Sequence, residues 1–180
     1  MKYREFVSDY EINYVSVPGK SRLKAVRVYK GPYFRFLASP ERISFLRWYY
    51  LIGLGILAIL LIVPMCIDCA ITRVWYIQAP AAAAWIPWVL AMGSLWRLWT
   101  AKEQVDREHC ELLHNRMSSS CLFLILFNTI SLIGCIIKRT EGMFSVHDWI
   151  VSGCCMASAV VSMVLFLGRK DLKMIQVEGP

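Results

Sequence analysis

In a chain of 180 residues, 57% are hydrophobic, 18% are charged and the net charge is +7. That balance excludes an ordinary soluble domain and points to a membrane protein. The basic excess suits anionic lipid headgroups, at about 1 kcal/mol for each Lys or Arg near the surface, and no nucleic-acid role is expected.

Residues 1–38 read as a basic, β-rich head. EINYVSV, RLKAVRVYK and YFRF are three short β-runs separated by the turn signals Pro18-Gly19 and Gly31-Pro32. Val26 and Val28 alternate with Arg27, and Phe34 and Phe36 flank Arg35, the period of a half-buried sheet. So short a segment cannot bury a core of its own. It is expected to lean on helix ends, on the membrane surface or on another protein, with Tyr33, Phe34 and Phe36 as the partner contact.

From 39 to 168 the expected fold is an all-α integral membrane domain, four transmembrane helices in an antiparallel bundle. Windows 48–67, 80–99, 118–137 and 148–168 each supply about the 20 residues that cross a hydrocarbon core of roughly 30 Å. The first window starts far from Met1 and lacks a small-residue cleavage site, so it is read as retained and not as a signal peptide. Ahead of it, Ser39 can cap a helix, Pro40 suits its first position and Glu41 complements the dipole. Trp48, Tyr49 and Tyr50 mark an interface.

CIDCAITR, residues 66–73, closes the first window with a C-x-x-C and an Arg four residues after its second cysteine. A nearby cation favours thiolate, although Asp68 opposes it. These eight residues resemble bacterial membrane oxidases that pass electrons from thiols to quinone, four-helix proteins with cytosolic termini. The resemblance implies a redox pair at Cys66 and Cys69 and a quinone contact at Arg73. That family carries a second cysteine pair in its second outer loop, and KRTEGMFSVHD here has none. The bland reading treats Cys as a small apolar residue tolerated anywhere in a membrane helix.

In the second window, Pro80 stands at the start and Pro87 is expected to kink the helix. Lys102–Asp106, Glu103–Arg107 and Arg107–Glu111 are spaced for helical ion pairs, predicting a cytosolic helical hairpin at 100–117 that turns near 115–120. DREHCELLHNR places Cys110 and His114 on one helix face, but a structural zinc site wants four ligands, so no metal is expected. On the third and fourth helices, Asn128, Ser131, Gly153, Ala157, Ser158 and Ser162 are read as a small, mildly polar packing seam. Residues 169–180 are read as a tail.

Ten Lys and Arg precede the first window, four lie between Arg97 and Arg116 and three follow Gly168. The opposite side holds only Arg73, Lys138 and Arg139. This asymmetry predicts cytosolic N and C termini, with a bacterial cell membrane favoured. No ionisable residue stands near a midplane, which argues against an autonomous ion-coupled carrier. The expectation is a non-enzymatic accessory or assembly subunit of a larger membrane complex such as a transporter. It would contact lipid and another membrane protein, or a second copy of itself, without a cofactor. The alternative is a membrane thiol–disulfide/quinone oxidoreductase using Cys66 and Cys69.

Overall fold

Segments 40–66, 75–100, 107–139 and 146–172 are helices long and apolar enough to cross a membrane. The structure is a computed structural model that describes residues 10–16, 23–101, 105–139, 142 and 145–177. The Pro18-Gly19 turn signal, and Lys102 and Glu103 of the predicted ion pairs, lie outside the described residues.

Helix α1 (Pro40–Cys66) opens where its sequence predicts: Ser39 Oγ accepts from Arg42 N–H at 3.3 Å, Pro stands in the first turn and Glu41 beside the dipole. It is apolar around its whole circumference. Leu54, Leu57 and Leu61 are buried while Ile52, Ile56 and Ile59 are exposed, the pattern of a helix in an apolar solvent. Helices α2 (Trp75–Ala83) and α3 (Trp85–Thr100) share the second span. That span starts at Trp75 instead of Pro80, and it breaks at Ala84. The Pro87 ring lacks the N–H that would bond Ala83 O and crowds that carbonyl, so the interruption falls one turn before the proline.

Helix α4 (Arg107–Arg139) is about 50 Å long at 1.5 Å per residue, so one end projects past any hydrocarbon core. The predicted hairpin at 100–117 is therefore corrected: residues 115–120 lie inside α4, which begins at Arg107, and α3 ends at Thr100. The α3 terminus is satisfied from elsewhere. Arg47 Nε donates to Leu98 O at 3.1 Å and Nη2 to Ala101 O at 3.4 Å, while His109 Nε2 lies 3.1 Å from Arg97 O. Arg107 and Glu111 do pair, at 3.5 Å. Helix α5 (Val146–Gly168) begins with a reciprocal capping box between Ser145 and Asp148.

The helices form a ring in which α1 packs on α3 and α5, and α4 packs on α2, α3 and α5. Tyr50, Leu54, Leu95, Leu98, Leu124 and Leu165 belong to its main core. At one end sit two small antiparallel sheets. Strands β1 (Tyr10–Ser16) and β2 (Leu23–Tyr29) form a hairpin. Strand β3 (Tyr33–Phe36) lies between β4 (Val105–Asp106) and β5 (Met174–Val177). The head is thus not confined to residues 1–38, and the tail is not a separate segment. After a 3-10 turn at Arg169–Leu172, the chain returns to pair with β3.

Close approach of α1 to α5 depends on Gly53, where an added Cβ would stand 2.5 Å from Leu165 Cδ2 and 3.1 Å from its Cγ. Leu165 is itself buried and has little room to turn. Gly53→Ala is expected to destabilise the protein by about 1–3 kcal/mol through overpacking. Gly55→Ala, with nothing within 4 Å of its Cβ, should not. Thermal midpoints of the two variants in one detergent compare them directly.

Candidate functional site: a thiol-lined loop end and a strand-lined opposite end

At the end of the bundle away from the sheets, the connection between α1 and α2 folds inward. Thr72 Oγ1 accepts from Cys69 N–H and donates to the carbonyl of Ile67 or Cys69, each at 3.0 Å. The turn is pinned to α5 by one carboxylate. Asp148 Oδ1 accepts from Ile71 N–H at 3.2 Å, while Oδ2 accepts from Ser145 N–H and Oγ–H at 2.9 and 2.7 Å. The Cys69 thiol faces the same carboxylate. Besides capping the start of α5, Asp148 anchors a loop 77 residues away. The Ser145-x-x-Asp148 spacing signals the cap but not that distant partner.

CIDCAITR is divided by this arrangement. Cys66 is exposed on the last turn of α1 and Cys69 is buried beneath the turn, both as free thiols. Arg73 donates to both oxygens of Asp68, from Nε at 2.9 Å and from Nη2 at 2.8 Å. This bidentate hydrogen bond, reinforced by charge, holds the Asp68 carboxyl below the usual carboxylate range and raises Arg73. Because Asp68 is depressed in the folded state, the pair is complete at neutral pH and is lost only as pH falls through that lowered value. Arg73 is thereby turned toward Asp68.

A different pair of cysteines meets. Cys135 on α4 and Cys155 on α5 are buried neighbours whose thiols interact across the helix contact. Ile71, Ile77 and Val151 pack around Cys69 and Cys135. The cleft that reaches Cys155, between Pro64, Ile77 and Val151, is about 20 Å³. That is room for about one water and is far below the roughly 300 Å³ where small-molecule pockets begin.

Along the predicted seam, Asn128, Ser131, Ser158 and Ser162 are buried. Gly153 is exposed, with nothing within 4 Å of an added Cβ, and Ala157 is half-buried. The buried face of α5 runs Val151, Cys155, Ser158, Ser162, Leu165, at spacings of three and four. Gly153 is two residues, or about 200°, off that line, and its place in the seam is withdrawn. Nor does the stripe act as a polar zipper between α4 and α5. Asn128 Nδ2 donates to Leu124 O and Ser162 Oγ to Ser158 O, each within its own helix. Ser131 Oγ reaches Ile77 O on α2 at 3.2 Å. Ser120 and Ser158 hydroxyls have no partner among the described residues, so small size is what they bring to the contact.

At the sheet end, Tyr33, Phe34 and Phe36 are half-buried inside the chain and are not a free patch. Tyr33 stacks edge-on against Tyr29 with centroids 5.2 Å apart, and Phe36 packs on the helix core. β3 is an inner strand, because β5 arrives to flank it, so both of its backbone edges are paired. Phe34 borders a cavity of about 320 Å³ together with Cys110, Glu111, His114 and Lys173. Among the described residues, no group of three or more His, Cys, Asp or Glu is arranged to hold a metal.

Two outcomes test the loop end. A maleimide is expected to label Cys66 in the folded protein and to leave Cys135 and Cys155 unlabelled until the protein is denatured, read by peptide mapping. Asp148→Ala removes the capping carboxylate, worth about 1 kcal/mol. It should speed alkylation of Cys69 about fivefold through local opening while Cys66 labels at its original rate. Among known proteins, no family model, curated protein or solved structure matches this chain.

Proposed function

We propose that this chain is a non-enzymatic accessory or assembly subunit of a larger membrane complex such as a transporter. The four helices anchor it, and the sheet end, with both termini, faces the cytosol. The supporting observation is the free edge of β5. Among the described residues of the three-stranded sheet, β5 pairs with β3 on one side only. Its Ile175 and Gln176 are exposed, as is Leu37 beside them in the pairing. A strand edge with exposed apolar side chains invites an added strand from another chain, the main-chain hydrogen bonds giving affinity and the side chains selectivity. The occupant is an extended segment of another membrane protein, or of a second copy.

Register identifies the outward groups. Leu37 N–H donates to Lys173 O at 3.0 Å, and Arg35 opposes Ile175 two residues on. In an antiparallel ladder, bonded and non-bonded pairs alternate, so the N–H of Met174 and of Gln176 points to the open edge. Gln176→Pro removes one such donor without touching the β3 pairing. A partner should co-purify with the wild-type protein in mild detergent and be lost with Gln176→Pro. A wild-type protein that stays alone and monomeric under those conditions ends this reading. The competing reading, thiol–quinone exchange at Cys66 and Cys69, requires that Cys66→Ser or Cys69→Ser abolish quinone-dependent dithiol oxidation.

A further inference from the structure

Where the sheet meets the start of α1 and the end of α3 there is a cavity of about 180 Å³. Phe36, Ala38, Pro40 and Ile43 form apolar walls, Arg35 and Arg47 supply two guanidinium groups, and among the described residues no acidic one lines it. Three other arginines at this end are engaged. Arg42 donates twice to Asp171, Arg107 pairs with Glu111, and Arg169 donates to Ser118 and lies over the Phe166 ring. The exposed Arg35 side chain has no ion pair among the described residues. Arg47 is held by the carbonyls of Leu98 and Ala101, which occupy two of the five N–H donors of a guanidinium, and it has no carboxylate partner among the described residues.

The height of this cavity is marked by tryptophan. Arg47 lies 5.9 Å from the Trp99 ring centroid, and Trp99 meets Trp48 edge-on at 5.6 Å, with both indoles exposed toward the surroundings of the bundle. Indoles on a membrane helix settle at the headgroup level. The cavity therefore stands where lipid phosphates would lie, with its apolar walls on the helix side.

We propose that this cavity binds the phosphate of an anionic phospholipid headgroup. Arg35 and Arg47 grip the phosphate oxygens, as the planar guanidinium fork does for phosphate generally. Phe36, Pro40 and Ile43 lie against the glycerol and the upper acyl chains. Arg47 is positioned before the lipid arrives, because the end of α3 already holds it. The apolar walls favour a lipid over a soluble phosphate.

The test is native mass spectrometry of the full chain in detergent with equal amounts of phosphatidylglycerol and phosphatidylcholine. Phosphatidylglycerol should be retained in excess, and Arg35→Gln should lower that preference about fivefold, the effect of one basic residue at an anionic surface. Arg116→Gln makes the same charge change at an exposed position outside the cavity and should leave the preference intact. Millimolar glycerol phosphate should not displace the lipid. Should Arg35→Gln lower the thermal midpoint, Arg35→Lys takes its place, and it should keep most of the preference. Three results overturn the proposal: equal retention of both lipids, equal losses in the Arg35 and Arg116 variants, or displacement by glycerol phosphate.

Discussion

A side-chain donor on one helix reaching a carbonyl on the next is the interaction on which the bundle depends. Tyr49 and Tyr50 on α1 donate to Val164 and Leu165 of α5 at 2.6 and 3.2 Å. Trp88 on α3 donates to Leu54 of α1 at 2.9 Å, and Ser131 on α4 to Ile77 of α2. In a hydrocarbon solvent the hydrophobic effect does not press helices together, and such bonds average about 0.6 kcal/mol each. What they supply is direction: each sets the rotation and height of one helix against its neighbour. Close packing supplies the rest, and Gly53, Gly134 and Gly168 are the places where it is tightest. Added Cβ atoms there would meet Leu165, Ile77 and Tyr49 at 2.5 to 2.8 Å.

The two ends of the bundle are closed by different means. At the loop end a single carboxylate gathers donors from Ile71 and Ser145, so one buried charge orders a turn and a helix start together. At the sheet end closure comes from strands contributed by three distant stretches of chain. Tyr29 links the two sheets, donating to Pro32 O at 2.8 Å and accepting from Arg107 N–H at 3.0 Å. β3 and β5 are separated by all four spans, so their pairing requires that the intervening helices already stand side by side. An edge strand formed only by an assembled bundle is displayed only on a folded protein.

The cysteines show how little sequence proximity says about chemistry in a helical protein. Cys66 and Cys69 are three residues apart, yet the helix end between them sends one outward and the other under the Thr72 turn. Cys135 and Cys155 are twenty apart and become neighbours, because α4 and α5 run antiparallel with those residues at the same height. A resemblance carried by eight residues could register the first pair but had no access to the second.

Four long apolar spans, the Ser39 cap, the β-runs near the N-terminus and the break near Pro87 could all be read from the chain, because they rest on composition, local steric rules and the hydrogen bonding of a few adjacent residues. The Arg107–Glu111 pair was legible for the same reason. Tertiary structure decided the rest. It made β3 an inner strand by returning the C-terminus to it, ended α3 at Thr100 by lending it Arg47 and His109, and took Gly153 out of the packing face. It also brought Arg35 and Arg47 to one cavity, without a carboxylate partner among the described residues, while Arg42 found Asp171. Each of these depends on which helix rotates toward which and how far each shifts along its axis. Those rotations and shifts are set by contacts between residues tens of positions apart, which no local pattern encodes.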